Sequence, residues 1–273
     1  MNKLKRVGRI GALMKIFNEN PNQLFSYSYF TEQFNAAKSS ISEDISMVKE
    51  LVEELEYGKI VTYTGANGGA KFIQKISENK TQEILEKMCG KFSGKDRVIP
   101  GGYIYMTDIF NTPNIVKNIG TVIASQFADT DIDYVLTVET KGIPVAIMTA
   151  QRLNVPVAVI RRNNKVTEGA TVSINYISNS SKSIQTMSLS RRSLKPKSKV
   201  LIVDDFMKGG GTAKGMCDMM NEFGAEVVGT AVVVETIEPE QKMIKNYISL
   251  LILDEIDEIN GTIKIRPNTK IFE

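Results

Sequence analysis

The first third of the chain has hydrophobic residues at helical spacing. Apolar residues recur every three or four positions from Leu4 to Phe17, and the polar stretch "NENPNQ" then ends the helix. A short segment, "SYFTEQF", follows, and a further apolar stripe runs from Ile41 to Leu55. This spacing predicts three helices in this region.

The third helix has a predictable start, and a hairpin follows it. Ser40 and Glu43 have capping-box spacing, which places the start near Lys38 to Ser40. The strand-like runs "KIVTYT" and "AKFIQKI" are joined by "GANGG", in which Asn67 and the glycine after it are a strong hairpin-turn signal. Three helices and a hairpin predict a winged helix-turn-helix domain over residues 1–76.

Residues 77–273 show a different pattern. A polar segment with the amphipathic run "TQEILEKM" is expected to be a connector, and the strand-like runs "DYVLTV", "VPVAVIR", "KVLIVDD" and "AEVVGTAVVVE" follow, interspersed with helical stretches. Continuous Val/Ile strands separated by helices are typical of a parallel sheet covered on both faces. The second domain is therefore predicted to be α/β.

Composition narrows the functional classes. The formal net charge is +3 and the pI about 8.6, which permits nucleic acid as a partner without requiring it. The two cysteines, Cys89 and Cys217, do not form a CxxC motif, and no apolar run approaches the roughly 20 residues that span a bilayer. Histidine, the usual general base and metal ligand, is absent. We expect a cytoplasmic protein with no metal site.

The clearest chemical motif is "VLIVDDFMKGGGT", residues 200–212. Glycines between a strand and a helix let backbone N–H groups converge on phosphate oxygens at the positive end of the helix. Asp204 and Asp205 would repel a phosphate, so they are better placed against ribose hydroxyls. A tight packing turn would also explain the glycines, but it would leave two carboxylates without partners at a buried strand end.

This motif resembles the phosphoribosyl pyrophosphate (PRPP) signature of the type I phosphoribosyltransferases. The resemblance implies that Asp204 and Asp205 bind the ribose hydroxyls and that the loop binds the 5-phosphate. The implied PRPP-binding residues of the motif are Asp204, Asp205, Phe206, Met207, Lys208, Gly209, Gly210, Gly211 and Thr212. Transferases usually have small hydroxyl residues or alanine where this chain has Lys208 and Gly209, so catalysis is not expected and no catalytic residue is assigned.

Three further segments belong to the same expected site. "ETKGIP" resembles the pyrophosphate loop of the family, which implies roles for Thr140, Lys141 and Gly142. The long polar stretch after residue 160 resembles the mobile loop of the transferases, with Arg161 and Lys165 near the diphosphate, or is a solvated β-hairpin with basic edges. Tyr103 could stack on a ligand or belong to a small hood strand. Magnesium accompanying the ligand is left open.

The N-terminal domain carries the expected DNA contacts. In a helix-turn-helix the start of the second motif helix meets base edges in the major groove. The predicted base contacts are Lys38, Ser39, Ser40 and Ser42. The predicted phosphate contacts are Lys59, Lys71 and Lys75 on the wing and Lys3, Lys5, Arg6 and Arg9 upstream. Residues 1–75 hold ten Lys or Arg and eight Asp or Glu, a net charge of only +2, so a winged helix used only for dimerisation is the alternative.

Taken as a whole, the chain resembles the purine operon repressors of Gram-positive bacteria. The segments "AAKSSISED", "TKGIP", "NKVTEG", "TVSINY", "IQTMSL" and "VDDFMK" carry the resemblance across both domains. It implies a homodimer that represses purine biosynthesis and transport genes, with PRPP as an effector that weakens operator binding. The competing hypotheses are an active purine phosphoribosyltransferase with a fused regulatory domain and a scaffold protein.

Overall fold

The computed structural model describes residues 4–65, 68–163, 166–178 and 183–272. Lys3, Asn67 and Lys165, which the sequence singled out, lie outside these residues. The N-terminal elements, in chain order, are α1 Arg6–Glu19, β1 Leu24–Ser26, α2 Tyr27–Phe34, α3 Lys38–Glu54, β2 Lys59–Tyr63 and β3 Gly69–Ile73.

The N-terminal elements form the predicted winged helix. Strands β1, β3 and β2 make an antiparallel sheet in that order, and the three helices close one core with it. Phe17, Phe30 and Phe72 are fully or almost fully buried there. The predicted start near Lys38 to Ser40 is confirmed, because α3 begins at Lys38. The predicted capping box is wrong: Ala37 precedes the helix without a side-chain cap, so Ser40 lies inside the first turn.

The remaining elements form the α/β domain. They are α4 Glu78–Phe92, β4 Val98–Ile99, β5 Tyr103–Ile104, α5 Thr107–Phe110, α6 Pro113–Gln126, β6 Tyr134–Val138, α7 Gly142–Leu153, β7 Val157–Ile160, β8 Thr171–Ser178, β9 Ser183–Ser190, β10 Lys199–Met207, α8 Gly211–Glu222, β11 Glu226–Thr236, β12 Ile248–Asp257 and β13 Thr262–Pro267.

A six-stranded sheet is the centre of this domain. Its order is β13-β12-β11-β10-β6-β7, and every pairing is parallel except that of β13 with β12. Helices α4, α6 and α7 contribute to the apolar core on one face, and α8 contributes to the core on the other. The predicted α/β class with both faces covered is confirmed. The division between residues 76 and 77 stays a prediction.

The long polar stretch contains a β-hairpin, β8–β9, which matches one of the two readings from the sequence. It is less solvated than expected, because Tyr176, Met187 and Leu189 are buried in the core with α8. A Cβ on Gly215 of α8 would approach Met187 Cε to 2.8 Å, so the glycine permits this close packing.

No helix among the described residues is both long enough and apolar enough to cross a membrane.

Candidate ligand site and DNA-binding surface

The candidate ligand site lies where β6 and β10 end. These strands are adjacent and parallel, so their following loops open at the same edge of the sheet. Helix α7 starts at Gly142 after β6, and α8 starts at Gly211 after β10. The turn between β10 and α8 contains only Lys208, Gly209 and Gly210, and Gly210 has a φ of +83° that favours glycine.

The acidic pair sits at the carboxyl end of β10. Asp204 is 5% exposed, and its Oδ1 accepts a hydrogen bond from the Asp205 N–H at 3.0 Å. Burial raises the pKa of Asp204 well above its usual range, and the neighbouring Asp205 carboxylate adds to this effect. Burial also raises the pKa of Asp205, opposed by the charge of Lys141. Buried carboxylates of this kind are stabilised by hydroxyl donors or cations.

The structure brings the loop after β6 against this acidic pair. A Cβ on Gly142 would lie 3.0 Å from Asp204 Oδ1 and would also clash with Thr137 Oγ1, so only glycine fits here. Earlier in the same loop, the peptide bond between Glu139 and Thr140 is cis. The two segments that the sequence assigned to one ligand are therefore neighbours in space.

A cleft of about 570 Å³ opens over these loops. Lys141 and all of Asp204 to Thr212 line it, whereas Thr140 and Gly142, which the sequence assigned to the same loop, do not. Tyr103 also lines the cleft from β5, where its side chain is 60% exposed, so the ring is accessible to a ligand and at the same time belongs to a short strand. Residues 236–238 and 253–256, at the ends of β11 and β12, also line the cleft, and no sequence pattern had indicated them.

Arg161 does not line the cleft. It follows β7, and its guanidinium contacts Glu139 at 3.2 Å and Glu168 at 3.7 Å. These two carboxylates engage the Arg161 side chain, which is 31% exposed, and its predicted place beside the diphosphate stays a prediction. Sequence reasoning missed the neighbouring Arg162, whose positive charge lowers the pKa of Asp204.

The predicted base-contacting residues lie together at the start of α3. Lys38, Ser39 and Ser42 are exposed and Ser40 is half-buried. The Lys38 ammonium lies 5.8 Å from the centre of the Tyr27 ring. Exposed polar side chains at the first turn of a recognition helix can reach base edges in a major groove, and the four base contacts stay a prediction.

The predicted phosphate contacts differ in their surroundings. Lys5 is exposed, and Lys71 is half-buried in the central strand β3. Arg6 is about half exposed and pairs with Glu43 and Asp44. Lys59 and Lys75 both contact Asp129 of the α/β domain.

Arg9 is not a surface cation. It is 9% exposed, and its Nε donates to Asp44 Oδ2 at 2.6 Å, which ties α1 to α3. The prediction that Arg9 contacts DNA phosphate is wrong, because the side chain is consumed in a buried ion pair. The helical spacing of α1 does indicate this burial, since Arg9 lies four positions before Leu13, on the face of the helix that points into the core.

The fold and site define a class of protein: a winged-helix DNA-binding domain joined to a type I phosphoribosyltransferase-like domain. Residues 5–74 match the family described as "Bacterial purine repressor, N-terminal", and residues 106–264 match the phosphoribosyl transferase domain family. The chain belongs to the family of bacterial purine repressors.

Relatives cover almost the full length of the chain. It is 44% identical over 264 residues to the purine biosynthesis transcriptional repressor PurR of Bacillus subtilis, covering 97% of this chain and 93% of that protein. It is 38% identical over 263 residues to the purine biosynthesis transcriptional activator PurR of Lactococcus lactis subsp. lactis, covering 96% and 97%. Adenine phosphoribosyltransferase from Thermoanaerobacter pseudethanolicus shares the fold, with a TM-score of 0.53, 18% identity and coverage of 62% of this chain and 98% of that one.

Proposed function

We propose that this transcriptional regulator of purine biosynthesis represses its target genes and is released from operator DNA when PRPP binds the cleft. The observation that carries the proposal is the meeting of the acidic pair, the glycine loop and the loop after β6 in one cleft. Each part suits one chemical group of that ligand.

The glycine loop suits the 5-phosphate. The N-terminus of α8 presents backbone N–H groups and a partial positive charge, which favour an anion. Asp204 and Asp205 suit the ribose hydroxyls, because a carboxylate accepts strong hydrogen bonds from such donors. Thr140, Lys141 and Gly142 are proposed to hold the diphosphate, with Lys141 as its cation. A magnesium ion carried by the diphosphate would find hard oxygen ligands in the same acidic pair.

The DNA contact is proposed at the start of α3, through Lys38, Ser39, Ser40 and Ser42. A homodimer would present two such helices to paired operator sites in the cytoplasm. For PRPP to release DNA, it must bind the free form more tightly than the DNA-bound form, because equal affinity shifts neither population. A coupling of roughly 1 to 3 kcal/mol would be enough.

The test is operator binding by fluorescence anisotropy with and without PRPP, each with and without magnesium. We expect PRPP to weaken binding by wild-type protein. The double variant Asp204→Ala with Asp205→Ala should bind the operator normally and ignore PRPP. The control Asp218→Ala with Glu222→Ala removes the same charge from the surface of α8 and should respond like wild type. A response retained by the Asp204/Asp205 variant would refute the site, and operator affinity unchanged at saturating PRPP would refute the effector role.

The relative in Lactococcus lactis is named an activator, so the direction of regulation needs its own measurement. Transcription in vitro from a purine promoter should fall when the protein is added and recover with PRPP. Increased transcription on adding the protein would assign activation.

A second candidate function is purine phosphoribosyl transfer, favoured by the exposed Tyr103 ring in the cleft. We do not expect turnover, since Lys208 replaces the small residue usual in transferases. Release of pyrophosphate from PRPP with adenine, guanine, hypoxanthine or xanthine would establish transfer.

A further inference from the structure

The chain returns to the glycine loop after β11. Lys242 Nζ donates to the carbonyl oxygens of Lys208 at 2.7 Å and Thr236 at 2.6 Å. The next N–H, that of Met243, donates to the carbonyl oxygen of Gly209 at 2.9 Å. Two consecutive carbonyls of the loop are thus held by one short segment that lies far from the loop in sequence.

These hydrogen bonds determine where the loop N–H groups point. In a trans peptide the C=O and N–H bonds are antiparallel. The carbonyls of Lys208 and Gly209 belong to the same peptide units as the N–H groups of Gly209 and Gly210. Holding both carbonyls on the side of Lys242 and Met243 therefore directs both N–H groups to the opposite side.

The fit between the two segments is close. A Cβ on Gly210 would lie 3.2 Å from the Met243 nitrogen and 3.7 Å from the Ile244 nitrogen. Lys242 itself is half-buried, and burial lowers the pKa of its ammonium while Glu235 and Glu238 oppose that effect. Its contact with Thr236 also ties the loop after β10 to the end of the neighbouring strand β11.

We propose that Lys242 is a positioning residue for the anion-binding loop: it holds the Lys208 carbonyl so that the Gly209 N–H faces the 5-phosphate before the ligand arrives. The neighbouring Met243 N–H holds the Gly209 carbonyl and orients the Gly210 N–H in the same way. The inference rests on the proposed function, whose phosphate subsite it explains. Glycines have the largest conformational freedom in an unrestrained loop, so ordering them in advance removes a cost that the ligand would otherwise bear.

Lys242 could instead attract phosphate through its charge alone. Lys245, an exposed lysine in the same segment, provides the matched control. Lys242→Met and Lys245→Met remove the same charge, but only the first removes hydrogen bonds to the loop. Lys242→Arg retains the charge and several N–H donors.

The experiment titrates full-length protein by calorimetry with PRPP, ribose 5-phosphate and inorganic pyrophosphate. Lys242→Met should weaken ribose 5-phosphate and PRPP binding about tenfold, the scale of the cost of ordering a short segment. Pyrophosphate, which is proposed to bind at Thr140 to Gly142, should bind within about twofold of wild type, as should all three ligands to Lys245→Met. Lys242→Arg should recover part of the loss. A glycine-selective ¹⁵N spectrum should show altered Gly209 and Gly210 signals in Lys242→Met.

Several results would overturn the assignment. Wild-type affinity for ribose 5-phosphate in Lys242→Met would do so, as would an equal loss for pyrophosphate, which would indicate general damage to the fold. Equal losses in Lys242→Met and Lys245→Met would indicate charge alone. If wild-type protein binds ribose 5-phosphate but PRPP leaves operator binding unchanged, the proposed function fails while the role of Lys242 stands. If wild-type protein binds none of the three ligands, both fail.

Discussion

The Lys59 ammonium lies 2.7 Å from a carboxylate oxygen of Asp129, across the contact between the winged helix and the α/β domain. Lys75 reaches the other oxygen of the same carboxylate at 2.9 Å. Hydrogen bonds from these two ammonium groups lower the pKa of Asp129 to about 2. The Asp129 side chain is 62% exposed, so each contact contributes at most about 1 kcal/mol and can be exchanged for another anion.

Asp129→Asn should therefore strengthen operator binding. If Lys59 and Lys75 contact DNA phosphates, as the sequence predicts, the phosphates must displace Asp129. In the variant both lysines are available to exchange bound salt ions for phosphate. The slope of log operator affinity against log salt concentration should therefore steepen by the equivalent of up to about two phosphate contacts. The measurement is operator affinity over a salt series. Because Asp129 has a pKa of about 2, the difference from wild type should be the same at pH 6 and pH 8.

Asp131→Asn is the control for this prediction. Asp131 lies two residues further along and contacts Lys199 at 3.0 Å, within the α/β domain. It should leave the operator affinity near that of wild type. Unchanged or weaker DNA binding by Asp129→Asn would show that Lys59 and Lys75 stabilise the contact between the two domains and do not bind DNA phosphates.

Asp204→Asn should stabilise the ligand-free protein at neutral and alkaline pH. The pKa of Asp204 is raised in the folded state, so its protonated form is favoured by folding. Its contribution to stability is fully present below the unfolded pKa of about 4 and is lost as pH rises through the raised folded pKa. Asparagine remains neutral throughout this range.

Thermal unfolding at pH 4 and pH 8 measures this effect. A gain of about 1 kcal/mol would raise the midpoint by roughly 2 to 4 °C, and we expect it at pH 8 and not at pH 4. The same variant should bind PRPP more weakly, because a neutral acceptor makes a weaker hydrogen bond than a carboxylate. A destabilised variant at pH 8 would contradict the assignment of a buried, poorly solvated charge.

Gly142→Ala should damage the ligand site. The added Cβ would clash with Thr137 Oγ1 and approach Asp204 Oδ1 to 3.0 Å, so the loop after β6 must move away from the acidic pair. We expect a loss of about 1 to 3 kcal/mol in stability, typical of overpacking, together with weaker PRPP binding. Gly90→Ala in α4 is the control: its Cβ meets nothing within 4 Å, and it should add up to about 1 kcal/mol of stability. Normal PRPP affinity in Gly142→Ala would show that this contact does not shape the site.

Arg9→Met should destabilise the winged helix without acting on DNA directly. It removes the 2.6 Å partner of the buried Asp44 carboxylate and leaves only the half-exposed Arg6, 3.3 Å from the other oxygen. Breaking a buried pair costs about 3 to 5 kcal/mol when the remaining charge has no partner, so we expect a loss up to that range. The double variant Arg9→Met with Asp44→Leu should recover much of the loss. Wherever the domain is folded, the salt dependence of operator binding should match wild type. If the slope of log operator affinity against log salt concentration falls by the equivalent of about one phosphate contact, Arg9 contacts DNA.

Much of the fold was predictable because its signals are local. The apolar stripes of α1 and α3, the β2–β3 hairpin and the Val/Ile strands followed by helices each lie within one short window. The motif from Asp204 to Thr212 was equally readable, since a strand end, two carboxylates and a glycine turn are consecutive.

Other features depended on which segments meet. Arg9, Lys59 and Arg161 have the charge expected of binding residues, but Asp44, Asp129 and Glu139, which engage them, are distant in sequence. Strands β12 and β13 had no clear sequence signal, and neither did the part of the cleft that residues 253–256 of β12 line. Nothing in the sequence distinguishes Lys242 from other polar residues, because its hydrogen bond to the glycine loop forms only when the fold brings the two segments together.

The sequence by itself therefore determined the two domain types and the chemistry that the cleft offers, because helical spacing, strand composition and the acidic-glycine motif act through neighbouring residues. Only the tertiary structure decided which cations remain available for a ligand or for DNA. A charged side chain is available or engaged according to the groups that packing places within a few ångströms of it, and those groups come from anywhere in the chain.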